Sequence, residues 1–205
     1  MAVKLPDEPD WQHSEPASEF DIRIMSTKSE ATVEDLYLAP GKAEIVNGEI
    51  VLMSPTGDMP GSAAGEVFAS LREYSRGAGC GRAYTDNVGF VVNLPHRRSF
   101  SPDASFYIGP RSRGKFLQGA LTFAVEVRSE GDYGREAEKE MAQKRADYFA
   151  AGTLVVWDAD VLRSEEVRKY TADDPENPVV FRRGDVADAE PALPGWKMSV
   201  DGLFA

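Results

Sequence analysis

Glu126 lies in the run Leu121-Thr122-Phe123-Ala124-Val125-Glu126-Val127-Arg128, whose apolar members otherwise describe a buried β-strand. A carboxylate in such a run is costly to desolvate unless a cation or a metal ion pairs with it. Asp103 follows Pro102 and heads a second apolar-alternating run, Ala104 to Ile108. Lys144 shares the stripe Ala137, Met141, Lys144 and Tyr148, whose spacing is that of one helix face. Two acids and a cation aimed inward outline metal-assisted phosphodiester chemistry. Mg²⁺ takes oxygen ligands, one or two of them protein carboxylates, and keeps several waters. It polarises a phosphoryl oxygen and lowers the pKa of an attacking water. A neighbouring cation stabilises the charge that develops. From spacing alone two readings stay open: Glu126 ligates a metal, or it forms an ion pair with Lys144. Lys144 itself either points at the sheet or extends its stem past Tyr148 to solvent.

The elements that must position these groups follow from alternation and punctuation. Side chains alternate across a strand, so Glu126 and Arg128 share a face with Thr122 and Ala124, opposite Leu121, Phe123, Val125 and Val127. Asp103 opens the face that also carries Ser105 and Tyr107, opposite Ala104, Phe106 and Ile108. If the two strands are neighbours, both carboxylates converge on one working face. Arg128 keeps its proton at any relevant pH, so its role there is electrostatic. A helix over 133–151 carries Lys144 inward, with Glu138, Glu140, Arg145 and Asp147 on its flanks and outer surface.

Other signals complete the frame. Thr32 with Asp35 three residues on reads as a helix N-cap. Asn47-Gly48 between two apolar runs predicts a hairpin over 43–53. A helix is expected over 62–76, with the glycine cluster Gly77 to Gly81 as its C-terminal turn rather than a phosphate loop, because it follows a helix and lacks a Lys-Ser/Thr pair. Strands are expected near 82–85, 88–94, 103–108, 121–128 and 153–157. A weaker peripheral hairpin is expected over 166–182, then a tail from Leu193 to Phe204 packed on the body. Residues 1–25, rich in Pro, Asp, Glu and Ser, read as a flexible N-terminal arm, and 26–205 as a single domain.

With 205 residues, 42% of them hydrophobic, the chain can bury a sizeable core. Its net charge of -11 argues against charge-driven, nonspecific nucleic-acid binding by the whole surface. It leaves room for an enzyme whose basic residues line one cleft. A lone cysteine, Cys80, excludes an internal disulfide and a cysteine-rich zinc site, and reads as a small turn residue. His13 and His96 read as surface histidines. No stretch has the length and apolarity of a membrane span or a signal core, so cytoplasmic residence is expected.

Pro102-Asp103 followed by Glu126-Val127-Arg128 resembles the Pro-Asp…(Asp/Glu)-x-Lys signature of the restriction-endonuclease-like nucleases. More of the chain is similar to one branch, the Uma-type restriction endonucleases. The similarity runs through Thr32 to Leu36, Glu44 to Pro55, Ser101 to Ser105, Val125 to Ser129, Lys144 to Tyr148, Gly152, Val156 to Asp158, and Leu193 to Trp196. The resemblance implies an α/β fold with a mixed central sheet flanked by helices, an N-terminal hairpin and a peripheral C-terminal one. It implies a Mg²⁺- or Mn²⁺-dependent endonuclease acting on DNA, with Asp103 and Glu126 as metal ligands, Glu44 as a further site acid and Lys144 as the basic partner. A homodimer or higher homo-oligomer fits by analogy with small nucleases of that fold. Two departures stand out. Arg128 occupies the lysine position of the signature, and residues 56–62 lack the histidine that many members carry there. These departures support a rival reading, a catalytically weakened descendant that serves as a binding or oligomerisation module. RNA as substrate ranks behind DNA, since no aromatic-basic stripe marks single-strand binding.

Overall fold

The computed structural model describes residues 30–205, so the expected arm over 1–25 lies outside the described residues. In chain order the elements are α1 (Val33–Tyr37), β1 (Ala43–Val46), β2 (Glu49–Leu52), α2 (Asp58–Ala78), β3 (Arg82–Thr85), β4 (Phe90–Val91), β5 (Ser99–Phe100), β6 (Ala104–Tyr107), β7 (Leu117–Gln118), β8 (Phe123–Val127), α3 (Arg135–Ala151), β9 (Val155–Asp160), β10 (Glu166–Thr171), β11 (Asp174–Arg182), β12 (Val186–Asp188) and β13 (Lys197–Ser199), closed by a 3₁₀ helix, Val200–Phe204. Local chemistry sets several boundaries. Thr32 caps α1 in a reciprocal capping box with Asp35. Asn47 and Gly48 take φ of 51° and 73°, the left-handed pair that a two-residue hairpin turn requires. Helix α2 starts four residues before the expected Ser62, because Pro60 in its first turn is compatible with a helix start. It ends on Gly79 at φ 66°, as the glycine cluster predicts.

Six strands form the central sheet in the order β11-β10-β9-β8-β6-β3. Strands β8 and β9 are parallel, joined by the α3 crossover; the other neighbours are antiparallel. Helix α2 and the C-terminal tail cover one face, packing Val67, Leu71, Trp196 and Leu203 against Phe123, Val125 and Trp157. The Phe123, Trp157 and Trp196 rings sit 5.1–5.6 Å apart, centroid to centroid, and burying each such side chain is worth roughly 1.5–3 kcal/mol.

The opposite face, the expected working face, is itself largely covered. Tyr148 from α3, with Phe90 and Phe100 from a small three-stranded sheet β5-β4-β7, packs on Ala124, Val156 and Tyr107. Leu121 joins this second cluster instead of lining up with Phe123, because regular pairing starts only at Phe123. The β10–β11 hairpin forms where the sequence suggests and extends the central sheet at its edge. Both faces are apolar, and most of the buried ionisable groups lie on the α3-covered face; buried Lys169 lies on the other, paired with Asp188.

Candidate active site

Docking of the N-terminal hairpin builds one wall of the site. The Ile45 amide donates to Ser99 Oγ at 2.8 Å and the Arg98 amide to the Ile45 carbonyl at 2.9 Å. These bonds fix β1 against the segment before β5 and bring Glu44, 2% exposed, beside Arg97, 6% exposed. Glu44 accepts from Arg97 and, at 2.8 Å, from the Ser101 amide.

The second wall is the end of β6 and β8. The Asp103 amide donates to the Val125 carbonyl at 3.1 Å, and the Val127 amide donates back to Asp103 Oδ2 at 2.8 Å. The carboxylate is therefore oriented by backbone beside Glu126. Its other oxygen, Oδ1, accepts from Lys42 Nζ at 2.6 Å, and the same ammonium lies 2.6 Å from Asp86 Oδ1.

Helix α3 closes the site from above. Its inward stripe delivers Lys144 Nζ to 2.9 Å from Glu126 and 3.1 Å from Glu44, so one lysine bridges two acids. The Tyr148 hydroxyl donates to Glu126 Oε1 at 2.5 Å. Glu44, Asp103, Glu126 and Lys144, four of the residues singled out in the sequence, thus converge in one cluster.

The fifth, Arg128, does not join them. The sequence places it on the working face with Glu126; the structure turns its guanidinium to Asp158 Oδ1 and Oδ2, both at 2.7 Å, and to Glu138 Oε1 and Oε2. The Asp158 carboxylate, on the neighbouring strand opposite Glu126, accepts both arms of the planar fork and is a better partner than a lysine-occupied Glu126.

Electrostatics follow from this geometry. Burial pushes the Glu126 carboxyl up; Lys144 opposes this, but Asp103 and Glu44 add repulsion and the net shift is upward. Burial also disfavours ionised Glu44, yet Lys144 and Arg97 outweigh it and hold its pKa low. Desolvation works against charged Lys144 and Lys42, but carboxylates on either side raise both. Lys144 therefore stays protonated at neutral pH and cannot act as a base without a large change in surroundings.

Several participants carried no sequence signal. Lys42 is an isolated lysine ahead of a strand, and its contact with Asp103 spans 61 residues. Arg97 sits in the loop before β5 and reaches Glu44 and Asp147 across 53 and 50 residues. Asp147 is only 1% exposed, correcting its expected place on the helix flank. It accepts from Arg97 Nε at 2.6 Å and lies 2.6 Å from His96 Nε2. Spacing did offer a signal here: Asp147 follows Lys144 by three residues, which is also a same-face interval. His96, expected at the surface, is half-buried, with 43% of its side chain accessible, and is partnered by Asp147.

A family model described as "Putative restriction endonuclease", Uma2, matches residues 32–201, and the chain belongs to that family. No curated protein matches it. Among solved structures, the crystal structure of a putative nuclease of the DUF820 group from Anabaena variabilis is similar, with a TM-score of 0.67 and 16% identity. The alignment covers 85% of this chain and 97% of that one. At that identity the likeness is one of fold: a mixed α/β architecture around a multi-stranded sheet.

Proposed function

We propose that the protein is a divalent-metal-dependent endonuclease that hydrolyses phosphodiester bonds in DNA, with the Glu44, Asp103, Glu126 and Lys144 cluster as its centre. The observation that carries this reading is the convergence of Glu44 and Glu126 on one lysine, with Asp103 oriented beside Glu126 by the Val127 amide.

The donor set suits a hard cation. Asp103 and Glu126 offer oxygen only, and five carboxylates (Glu44, Asp86, Asp103, Glu126, Asp147) meet three fixed cations, Lys42, Arg97 and Lys144. Burial first, then repulsion from Asp103 and Glu44, raises the Glu126 pKa despite Lys144 and Lys42. Among the described residues no three Asp, Glu, His or Cys side chains form a cage. Two carboxylates completed by water is the arrangement Mg²⁺ favours.

Asp103 and Glu126 would hold Mg²⁺ or Mn²⁺. Bound there, the ion supplies Lewis acidity towards the scissile phosphate and an acidified water. Asp103 is preoriented by the Val127 amide, and Glu126 by Tyr148. Lys144, anchored by buried Glu44, sets a permanent charge beside Glu126 that stabilises the phosphorane-like transition state. Lys144 takes the part that the signature gives to a lysine two positions after Glu126. Arg128 then holds α3 to the sheet through Glu138. A homodimer presenting two such sites to two strands completes the proposal.

The test is plasmid cleavage with Mg²⁺ or Mn²⁺. Asp103→Ala and Glu126→Ala should each lower the rate about 10³-fold. Equal activity of wild type and both variants would overturn this reading, and no Mn²⁺ binding by the folded protein in a calorimetric titration would favour a binding or oligomerisation module.

A further inference from the structure

We infer that the loop between β6 and β7 is a docking surface for the phosphate backbone of duplex DNA, placed beside the site proposed above and resting on that reading of it. The chain carries 34 acidic and 23 basic residues, yet residues 109–120 contain Arg111, Arg113 and Lys115 and no acid. All three cations are exposed. Among the described residues none of them has an ion-pair partner. Elsewhere on this molecule basic side chains are commonly matched by carboxylates. A local excess of unmatched positive charge on an acidic protein is complementary to a polyanion.

The loop is presented firmly. Ser112 and Lys115 close it through reciprocal bonds: the Lys115 amide donates to the Ser112 carbonyl at 3.0 Å, and Ser112 Oγ donates to the Lys115 carbonyl at 2.7 Å. Arg113 and Gly114 take φ of 37° and 85°, the tight reversal that turns the cations outward. Phe116 pins the base of the loop. Its ring stacks on Tyr37 at 4.1 Å, its amide donates to the Tyr37 hydroxyl at 2.8 Å, and it lies so close to Gly89 that a β-carbon there would come within 2.6 Å of the ring.

Position links the loop to the chemistry. A cleft of about 240 Å³ is lined by Phe116 on one side and by Gly41, Ala43 and Ser101 on the other. Gly41 and Ala43 flank Lys42, and Ser101 donates its amide to Glu44. The cleft thus joins the base of the loop to the segments that carry Lys42 and Glu44, and a duplex whose backbone rests on Arg111, Arg113 and Lys115 passes beside them. Because these contacts are to phosphate, they confer affinity and register without sequence preference.

The experiment uses the full chain carrying Glu126→Gln to prevent cleavage. A fluorescein-labelled duplex is titrated by anisotropy at several salt concentrations, with and without the triple change Arg111→Gln, Arg113→Gln, Lys115→Gln. The three positions are exposed, so folding should be unaffected, and thermal melting checks this. The expected result is weaker binding, with the slope of log K against log salt shallower by about 2–3, near 0.9 for each phosphate no longer neutralised. An unchanged slope with binding intact overturns the loop assignment and leaves the nuclease reading standing. Absence of duplex binding by either protein overturns both. A loss of affinity equal at every salt concentration also overturns the assignment, since phosphate contacts must show in the slope.

Discussion

Two ion clusters lie side by side on one face of the central sheet, and they are built on opposite plans. Glu126 and Asp158 are register partners across β8 and β9, so the clusters are one strand apart. Around Asp158, 2% exposed, the charges are matched: Arg128 grips both its oxygens, with Arg145 and Arg168 within 4.0 Å. Tyr133 and three backbone amides likewise saturate Asp160, and its pKa falls to about 2 although burial alone would raise it. Around Glu126 the acids outnumber the bases, and burial together with repulsion from Asp103 and Glu44 raises its pKa. Removing one partner of a matched buried network leaves an uncompensated charge; a mismatched one already holds unfavourable energy that a cation or a reaction can use. One strand, with an acid and an arginine two residues apart, thus serves both ends.

Crossing the two clusters gives the largest expected contrast. Glu126→Gln should lower cleavage about 10³-fold, equivalent to about 4 kcal/mol of barrier, while leaving the fold intact. Arg128→Ala should do the reverse in kind: a loss of about 3 kcal/mol in stability, read as a fall in denaturant midpoint, because Asp158 is left buried without its main partner. Residual cleavage by Arg128→Ala below its melting range should exceed that of Glu126→Gln. A variant that stays as stable as wild type but loses cleavage would place Arg128 in the chemistry after all.

Glu126→Gln should also raise stability in metal-free buffer at neutral pH by about 1 kcal/mol, a common size for removing strain at a functional site. The sign follows from linkage. The folded state holds the Glu126 proton more tightly than the unfolded state, whose carboxyl titrates near 4.5. Ionised Glu126 therefore destabilises the fold at neutral pH, and this penalty is relieved as pH falls through its raised value. Glu44 runs the other way: its contribution is full above 4.5 and is lost as pH falls through its lowered value. Wild-type melting should thus drift upward on mild acidification and fall only in stronger acid. In Glu126→Gln the upward drift should vanish while the acid loss remains. An identical mild-acid profile in both proteins would remove Glu126 as the source.

The contrast between the clusters also marks what the sequence could convey. Periodicity carries facing, so Glu126, Asp103 and the Lys144 stripe were legible, as were the Asn47-Gly48 turn and the Thr32 cap. Periodicity does not carry partners. Whether Arg128 meets Glu126 or Asp158 depends on which strand lies alongside β8 and on where α3 lands. Lys42 and Arg97 reach the site through pairings fifty or more residues long, set by docking of the β1–β2 hairpin. Glu44 emerged from the family resemblance alone, since a single acid on a hairpin strand has no pattern of its own.

The smallest expected effect supplies the reference for the others. Lys139 and Glu136 form an ion pair on the outer face of α3, 2.8 Å apart, with side chains 64% and 78% exposed. Water screens both charges, and holding two long side chains together costs entropy, so such pairs contribute about 0–1 kcal/mol. Lys139→Ala should change stability by less than about 0.5 kcal/mol and leave cleavage unaltered. It sits on the same helix as Lys144 and changes the chain's net charge by the same one unit. If it altered cleavage as strongly as a change at Lys144, overall charge rather than the placement of one ammonium between Glu44 and Glu126 would govern the site.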